Sequence, residues 1–329
     1  MSPMITTSFI VVNWNGRNLL GKCLRAIFRQ KGTYEVILVD NASEDGSVDY
    51  VHDMFPLVKV LPLSNNFGFA GGNNAGYSLA SGRYLALINT DVILEEGWLE
   101  EMVTAMDEHP TVGICASRII KSATSMLDSE GDYFTTAFTV SRPGENKCPI
   151  PFTDSNNLCF VPGACAAAAF YRVGMIDDIG LFDEDFFLNH EDTDLNLRAL
   201  VTGWKCLLVR RAIAFHDVSA SIGAMSDTSV YYSARNSLWV WLKNVPTSLM
   251  LMLFFHRILY EMASTLAFCV IHRKWKPYLK GKVDSFRMFP QMLVKRQALQ
   301  CRRRTPVHEI RKMLRPLLSY LLERLKCAV

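Results

Sequence analysis

The sequence has no C-x-x-C pair and no cysteine–histidine spacing that suits zinc, although nine of its 329 residues are cysteines. The nine lie at positions 23, 115, 148, 159, 165, 206, 269, 301 and 327. Because they are odd in number and scattered, they exclude a zinc-centred fold and a disulfide framework that uses every cysteine. We expect free thiols in a reducing cytoplasm.

Several other features are also missing. No basic segment precedes an apolar run at the start of the chain, so we expect no signal peptide. There is no internal repeat and no low-complexity tract. A hydrophobic content of 50% excludes an intrinsically disordered chain and permits a large core. The length fits one large α/β domain with an appendage, or two domains.

Charge is distributed unevenly along the chain. The net charge is only +3, but the segment from His272 onward holds sixteen Lys and Arg against three Asp and Glu, a balance of +13. The rest of the chain therefore carries −10. An acidic body with a basic tail predicts that the tail meets an anionic partner, either lipid head groups or nucleic acid.

Strand and helix patterns alternate over the first 117 residues. The continuously apolar run at 8–12 is typical of a central strand that is covered on both faces. The alternation predicts an α/β fold of the Rossmann-like type, with a mostly parallel sheet flanked by helices. The predicted strands are 8–12, 35–40, 58–63, 84–89 and 112–116, and the predicted helices are 18–30, one that begins near 47, 70–80 and 95–107.

The alternation ends after residue 117. Residues 121–157 are rich in Ser, Thr, Pro, Gly and Asp, which predicts irregular structure with a short hairpin. Further along we expect a strand of small residues at 163–171, a helix at 192–202 closed by Gly203, a strand at 204–209 that ends before His216, and a helix at 230–243.

Residues 247–271 are apolar and long enough to cross a bilayer. Arg257 and Glu261 lie near the middle, where a charged residue costs about 2.5–3.5 kcal/mol. With Ser264 they form one narrow polar stripe. The stripe, and the Phe, Met and Leu residues mixed with Lys and Arg further on, favour a helix lying on an anionic membrane surface. Packing on the body and true spanning remain the alternatives.

Polar clusters follow three of the predicted strands, at the edge where an α/β sheet binds ligands. Asp40 in the first cluster could accept hydrogen bonds from a nucleobase or ribose, or could equally be a turn or cap residue. The second cluster, NNFGFAGGNNAG at 65–76, offers glycines for close approach of a ligand and asparagine amides. The alternative for it is a flexible turn. Its spacing does not fit the G-x-G-x-x-G dinucleotide fingerprint.

Asp91 ends the third cluster, directly after the apolar run LALIN. A divalent cation held there, Mg²⁺ or Mn²⁺, would bridge the carboxylate and diphosphate oxygens. His216, after another predicted strand, could add an imidazole ligand, which suits Mn²⁺ better than Mg²⁺. A lone histidine at a strand end is also commonly structural, and that alternative stays open.

Glu191 and Asp192 lie where a helix is predicted to begin. An acid at this position can simply be a cap that the helix dipole favours. The same position should lower the pKa of the carboxylate and keep it ionised, so that it can take a proton from an attacking hydroxyl. Asp194 and Arg198 are four residues apart, and we expect them to form an ion pair on the helix surface.

Six motifs, in this order, resemble a known family. They are VVNWNG at 11–16, VDNASEDGS at 39–47, NNFGFAGGNNAG at 65–76, LINTD at 87–91, FFLNHEDTDLNLRALVTGWK at 186–205 and the YYSARN–LWVWLKN run at 231–244. Together they resemble a family 2 glycosyltransferase of the GT-A fold over roughly residues 5–245. Within the family they look most like rhamnosyltransferase-type bacterial enzymes of surface-polysaccharide and O-antigen synthesis.

The resemblance implies inverting, single-displacement transfer from a dTDP- or UDP-sugar with a divalent metal, Mn²⁺ or Mg²⁺. By position, Asp192 matches the catalytic base with Glu191 as its paired acid, and Asp91 matches the last acid of the metal-binding D-x-D motif. His216 matches a histidine that in some members contacts metal or diphosphate. The residues that match donor-pocket positions are Asn13, Asp40, Asn66, Gly68, Asn73, Asn89 and Arg235.

Asn89 is a departure, because it occupies the first acidic position of D-x-D and an amide binds metal weakly. Coordination would then rest on Asp91, His216 and the diphosphate. The resemblance divides the chain into a glycosyltransferase domain, 1–245, and a helical basic region, 246–329. Within the domain, 1–117 would bind the nucleotide and 118–245 would serve the acceptor and catalysis. The implied partners are a glycan or polyprenyl-linked acceptor and an anionic membrane surface, with no nucleic acid, at the cytoplasmic face of the cell membrane.

Two other functions stay open. A nucleotidyltransferase also has a nucleotide-binding sheet, but it should carry a Gly-rich phosphate loop after the first strand, where this chain has NWNGRN. A non-catalytic lipid- or nucleic-acid-binding module would explain the basic tail. It leaves the ordered polar clusters before residue 217 unexplained.

Overall fold

The computed structural model describes residues 5–217 and 225–328, and strands and helices alternate over most of its first part, from residue 7 to residue 88. The strands are β1 Thr7–Asn13, β2 Tyr34–Asp40, β3 Lys59–Pro62, β4 Tyr84–Ile88, β5 Val92–Leu94, β6 Val112–Lys121, β7 Leu127–Glu130, β8 Tyr133–Phe134, β9 Val140–Ser141, β10 Leu158–Val161, β11 Ala168–Arg172 and β12 Lys205–His216. The helices are α1 Arg17–Phe28, α2 Ser47–Met54, α3 Gly68–Tyr77, α4 Trp98–Glu108, α5 Val173–Ile179, α6 Glu191–Thr202, α7 Asp227–Asn244, α8 Thr247–Met252, α9 Phe254–Thr265, α10 Trp275–Arg287, α11 Phe289–Cys301, α12 Val307–Lys312 and α13 Leu317–Ala328.

The first part of the chain builds parallel strands, as the sequence predicts. β1 pairs in parallel with β2 and β4, and β2 pairs in parallel with β3. The main sheet has the order β10-β12-β6-β11-β4-β1-β2-β3, with β5 added to β12 and β7 added to β6. The prediction of an α/β sheet flanked by helices, followed by a helical C-terminal region, is confirmed.

Alternation of side chains along β1 explains its central place. Phe9 and Val11 lie in a core layer with side chains of α1 and α4, whereas Ile10 lies in a second layer with side chains of α3, α5 and α6. All three are fully buried. A strand that is apolar at every position needs cover on both faces. The continuous apolar run therefore places β1 in the middle of the sheet.

The second part of the chain differs from the prediction in strand direction and number. β11 runs antiparallel between β4 and β6, so the sheet is mixed rather than parallel throughout. β12 includes His216, which the sequence had placed beyond the strand. The short strands β5, β7 and β10 were not predicted. β8 and β9 form the short hairpin expected within residues 121–157.

The basic C-terminal helices pack on the acidic body. Lys295 pairs with Asp185 at 2.6 Å, and Arg302 pairs with Asp178 at 2.6 Å. Cations of the tail therefore contact carboxylates of the same chain. These contacts explain part of the charge asymmetry without an external partner.

Candidate active site

The N-x-D turn follows β4 at the edge of the sheet. The backbone N–H of Asn89 donates to the carbonyl of Ala167 at 2.9 Å, and the carbonyl of Asp91 accepts from the N–H of Asp217 at 2.9 Å. Asp91 is buried, and within the described residues neither its Oδ1 nor the Oδ1 of Asn89 has a hydrogen-bond partner. A buried polar atom without a partner is costly. Two such oxygens at one turn indicate a ligand site.

His216 lies against Asp91, as the metal prediction requires. Its Nε2 is 3.4 Å from Oδ1 of Asp91, and its Nδ1 is 2.9 Å from Oδ2 of Asp128. Burial lowers the pKa of His216, but the hydrogen bond with Asp128 and the negative charges of Asp91 and Asp128 outweigh it and raise the pKa to about 9. Burial raises the pKa of Asp128, whereas His216, Arg142 and Lys121 together bring it below its usual value.

The donor set suits a divalent cation. A carboxylate oxygen beside an imidazole nitrogen is a combination that Mn²⁺ accepts once the imidazole has lost its proton, and Oδ1 of Asp91 faces Nε2 of His216 at 3.4 Å. In the described ranges 5–217 and 225–328, no group of three or more His, Cys, Asp or Glu side chains could hold a metal ion. The chain would therefore supply Asp91 and His216, and diphosphate oxygens and water would complete the coordination.

The backbone is strained directly before α6. Phe187, Asn189 and His190 have φ angles of 61°, 63° and 70°. Such conformations cost roughly 1–3 kcal/mol each for residues other than glycine, and they gather at functional sites. Asn236 of α7 holds the loop, because its Nδ2 donates to three backbone carbonyls between residues 186 and 189. The start of α6 is thus fixed in place.

Asp192 is half-buried at this helix start. Its Oδ1 accepts from the backbone N–H of Thr193 at 2.6 Å, and its Oδ2 lies 3.5 Å from the backbone N of Ala166. Burial and the charge of Asp132 raise the pKa of Asp192, against the opposing effects of Arg142 and the backbone hydrogen bonds. The expectation of a lowered pKa at the helix start is therefore wrong. An ionised carboxylate with a raised pKa is a stronger base.

Glu191 is buried more deeply than Asp192. Its Oε2 has no hydrogen-bond partner in the described part of the chain. Burial first, and then the charges of Asp192 and Asp194, raise the pKa of Glu191 well above its usual range. Burial thus raises the pKa of both acids, and Glu191 is the more buried of the two. Asp192, the less buried of the two, is the candidate base.

Asp91 and Asp192 are linked through the residues that lead into β11. Asp192 reaches the backbone of Ala166, and the next residue, Ala167, accepts the hydrogen bond from Asn89. The two carboxylate residues are far apart in sequence, yet they lie at the same part of the sheet edge. That the two carboxylates face one donor site, as the predicted chemistry requires, stays a prediction.

A buried ion pair from the segment after β7 approaches the same place. Arg142 Nε donates to Oδ1 of Asp132 at 2.7 Å, and Asp132 is fully buried. The charge of Asp132 raises the pKa of Asp192, and the charge of Arg142 lowers it. Residues 121–157, predicted only as irregular, therefore contribute Asp128, Asp132 and Arg142. Sequence reasoning missed these three because single charged residues in a polar segment carry no local signal.

Asn13 and Asp40 meet at the carboxyl ends of β1 and β2. Asn13 Nδ2 donates to Oδ1 of Asp40 at 2.9 Å, and Oδ2 of Asp40 accepts from the N–H of Ser43 at 2.9 Å. Both Asn13 and Asp40 are buried. The carboxylate therefore holds the turn after β2, which is the structural role considered for it. Contact with a nucleoside stays a prediction.

The second polar cluster forms the start of α3. Gly68 has a φ of +71°, and a Cβ at this position would collide with the carbonyl of Phe187. The close approach at this glycine is made to the chain itself, and contact of Gly68 with a donor stays a prediction. Asn66 Oδ1 accepts from the N–H of Gly68 at 2.8 Å, and Asn73 Nδ2 donates to the carbonyl of Phe69 at 2.8 Å. Donor contacts of these amides stay predictions.

Arg235 supports the turn before α6. Its Nη2 donates to the carbonyls of Asp185 at 2.6 Å and Phe186 at 3.0 Å. Its guanidinium carbon lies 4.2 Å from the ring centroid of Trp239. These contacts give the residue a structural role, and its predicted proximity to a phosphate stays a prediction.

Asp194 and Arg198 form the expected ion pair, at 2.7 Å, but in the protein interior. Lys243 and Asn244 of α7 also donate to Asp194, each at 2.9 Å. Burial raises the pKa of Asp194, but the charges of Lys243 and Arg198 lower it to about 2. The expectation of a surface pair is wrong because α7 covers this side of α6. The network fixes the helix that carries Asp192.

Comparison with known proteins identifies the family. The family described as "Glycosyl transferase family 2" matches residues 8–180, more than half of the chain. Glycosyltransferase GlyG of Streptococcus pneumoniae is 30% identical over 141 residues, which cover 41% of this chain and 44% of that protein. A PGL/p-HBAD biosynthesis glycosyltransferase of Mycobacterium bovis is 26% identical over 231 residues, which cover 67% of this chain and 81% of that protein. The match with GlyG thus spans less than half the length of that relative.

Solved structures share the fold. GalNAc-T7, crystallised with UDP, GalNAc and Mn²⁺, superposes with a TM-score of 0.63 at 15% identity, over 89% of this chain and 57% of the other. TarS of Staphylococcus aureus in complex with UDP gives a TM-score of 0.56 at 15% identity, over 94% and 92%. At this level of identity the likeness shows the GT-A-like fold alone. On the match over residues 8–180, the chain belongs to glycosyl transferase family 2.

Proposed function

We propose that this protein transfers a sugar from a nucleotide-diphosphate donor to an acceptor hydroxyl, with inversion at the anomeric carbon. The proposal is carried by one observation, the approach of Asp91, His216 and Asp192 to one edge of the sheet. Family membership supports it, as do the UDP and Mn²⁺ present in structures of similar fold.

In the proposed reaction the acceptor hydroxyl oxygen attacks the anomeric carbon. The new C–O bond forms on the face opposite the diphosphate, whose bond to the sugar breaks, and this inverts the configuration. Asp192 accepts the hydroxyl proton, and the electron pair of the broken bond leaves with the nucleoside diphosphate. Asp91 and His216 would hold a divalent cation, Mn²⁺ or Mg²⁺, which when bound offsets the charge of the leaving group.

The donor is proposed to be a dTDP- or UDP-sugar, with a deoxysugar such as rhamnose as the transferred group. The resemblance to rhamnosyltransferase-type motifs supports the sugar. Residues 1–117 would bind the nucleotide through Asn13, Asp40 and the 65–76 cluster, and residues 118–245 would serve the acceptor. Residues 246–329 would attach the enzyme peripherally to the cytoplasmic face of the membrane, where a lipid-linked or growing surface glycan is the proposed acceptor.

The amphipathic pattern of α9 supports membrane attachment. Its polar stripe faces the body, because the buried Arg257 donates to Oγ of Ser237 at 2.9 Å and Glu261 pairs with Arg257 and with Lys282, the latter at 2.6 Å. Its opposite side is exposed to solvent. α9 continues without a break as a π-helical segment, Leu266–Ile271. We call the exposed side of both the α9 apolar face and define it as Phe255, Ile258, Met262, Leu266 and Val270.

A helix lying on the membrane fits these contacts better than a spanning helix. Phe254–Ile271 is the one helix, among the residues described, that is long and apolar enough to cross a membrane, and only 6% of it is buried. Spanning would pull Arg257 and Glu261 from their partners into hydrocarbon, at about 2.5–3.5 kcal/mol for a central arginine. A flat orientation keeps those bonds and buries the α9 apolar face. Lys276 and Lys280, both exposed, would meet anionic head groups.

Removing the α9 apolar face should release the protein from lipid. The triple variant Phe255→Ser, Met262→Ser, Val270→Ser should bind phosphatidylglycerol vesicles at least about tenfold more weakly, because three apolar side chains no longer enter the interface. Co-sedimentation measures the effect. The matched control changes three similarly exposed apolar residues elsewhere, Met54→Ser, Leu57→Ser and Ile150→Ser. An equal loss in the control, or competition by RNA for the wild-type protein, would contradict lipid attachment through this face.

A screen of nucleotide sugars tests the proposed reaction. Purified protein is incubated with dTDP-rhamnose and with UDP- and GDP-sugars, in Mn²⁺ or Mg²⁺, and the released nucleotide is quantified. Slow hydrolysis of at least one donor, releasing a nucleoside diphosphate only when metal is present, is expected even without the acceptor. Release of pyrophosphate from a nucleoside triphosphate in the presence of a sugar phosphate would instead favour the nucleotidyltransferase alternative.

A further inference from the structure

We propose that Asp128 is a positioning residue for His216, which turns the imidazole Nε2 towards the metal site. The inference rests on the proposed function, because it takes His216 as a metal ligand. The ring lies between two carboxylates, with Nδ1 2.9 Å from Oδ2 of Asp128 and Nε2 3.4 Å from Oδ1 of Asp91. The hydrogen bond at one ring nitrogen decides which nitrogen carries the proton. In the neutral ring, acceptance from Nδ1–H by Asp128 leaves the Nε2 lone pair for a cation beside Asp91.

An irregularity in β7 brings Asp128 to this place. Leu127 pairs with Ile120 of β6 and Ser129 pairs with Ile119, and the register shifts between these two pairs. Asp128 is the extra residue, and a bulge of this kind redirects a side chain. β12, which ends at His216, pairs with the opposite side of β6. The bulge therefore lets Asp128 reach an imidazole on a strand with which β7 has no regular pairing.

A neighbouring acid provides a matched control. Oδ1 of Asp128 lies 3.9 Å from Nζ of Lys121, and Oε1 of Glu145 lies 3.6 Å from the same nitrogen. The described hydrogen bonds and ion pairs of Glu145 do not include His216. Replacement of Glu145 thus removes a similar negative charge near Lys121 and leaves the imidazole contact intact.

Titration of the full chain with Mn²⁺ alone tests the inference, with free Mn²⁺ followed by electron paramagnetic resonance. Asp128→Ala should bind Mn²⁺ about 10–100-fold more weakly and should lose the imidazole-nitrogen modulation of the pulsed spectrum. Asp128→Asn has an amide oxygen that can still accept from Nδ1–H, so its Mn²⁺ affinity should fall less than that of Asp128→Ala. Glu145→Ala should bind as the wild type does. Thermal melting checks that each variant is folded. If Asp128→Ala does not fold, the comparison of Asp128→Asn with the wild type is the test.

His216→Ala separates the inference from the proposed function. Wild-type affinity in Asp128→Ala together with lost affinity in His216→Ala would overturn the positioning role and leave the metal site intact. Full Mn²⁺ affinity in His216→Ala would overturn the positioning role of Asp128 and also the proposal that His216 is a metal ligand. An equal loss in Glu145→Ala would assign the effect to local charge and would also overturn the role of Asp128.

Discussion

Replacing Asp192 by Asn should leave donor binding unchanged and lower the rate of sugar transfer by about 10²–10⁴-fold. The amide has the size of the carboxylate, and its oxygen can still accept the hydrogen bond from Thr193 N–H that Oδ1 accepts at 2.6 Å. It cannot take a proton from the acceptor hydroxyl. Calorimetry with the nucleotide sugar measures binding, and release of nucleoside diphosphate in the presence of acceptor measures transfer.

Two controls separate loss of the base from loss of structure. Asp154→Asn removes an exposed acid that pairs with Arg211, and it should transfer sugar at the wild-type rate. Wild-type transfer should fall as the pH drops through the raised pKa of Asp192, because the base must be ionised, and this fall should begin at a higher pH than for an ordinary aspartate. Turnover of purified Asp192→Asn near the wild-type rate would show that another group is the base.

Replacing Asp91 by Ala should abolish metal-dependent nucleotide binding. Oδ1 of Asp91 is buried without a hydrogen-bond partner in the described part of the chain. We therefore expect this oxygen to bind the cation when the nucleotide is bound. Without this carboxylate only His216 remains as a protein ligand, and Mn²⁺-dependent affinity for UDP should fall about 100-fold or more. Calorimetric titration of UDP with and without Mn²⁺ measures the change.

Glu95→Ala is the control for this experiment. Glu95 is an exposed acid just after β5, four residues beyond Asp91, so its loss changes the net charge equally without touching the turn. It should keep the Mn²⁺ dependence of the wild type. Unchanged Mn²⁺ dependence in Asp91→Ala would place the metal elsewhere in the protein.

The sequence predicted the regular part of the fold because the spacing of apolar residues in the sequence agrees there with their burial in the structure. β1 is apolar from Phe9 to Val12, and the alternating segments up to β6 have the lengths of strands and helices. The direction of β11 was not predictable in the same way. Its small, apolar residues fit either a parallel or an antiparallel neighbour, and only long-range pairing with β4 and β6 decides. β5 has three residues, which is too short for a period to be recognised.

The sequence identified candidate site residues, but it did not predict what surrounds each of them. Asp91, Asp192 and His216 were predicted as candidates because each was expected to follow or begin a regular element. The raised pKa of Asp192 was not found, because burial and the charge of Asp132 come from contacts that no local pattern encodes. Asp128 was missed for a related reason, since a one-residue bulge in β7 decides where its side chain lies. Glycines and amides of the 65–76 cluster looked like ligand contacts, yet Gly68 is required by the packing of Phe187.

A crystal structure of this protein with UDP and Mn²⁺ would test most directly whether Asp91 and Asp192 serve one site. We predict that Mn²⁺ is bound by the Asp91 carboxylate, by Nε2 of His216 and by diphosphate oxygens. We also predict that the Asp192 carboxylate lies across the space that the donor sugar would fill. Nucleotide bound away from the N-x-D turn, or an Asp192 carboxylate separated from the diphosphate by other parts of the chain, would contradict the proposed reaction.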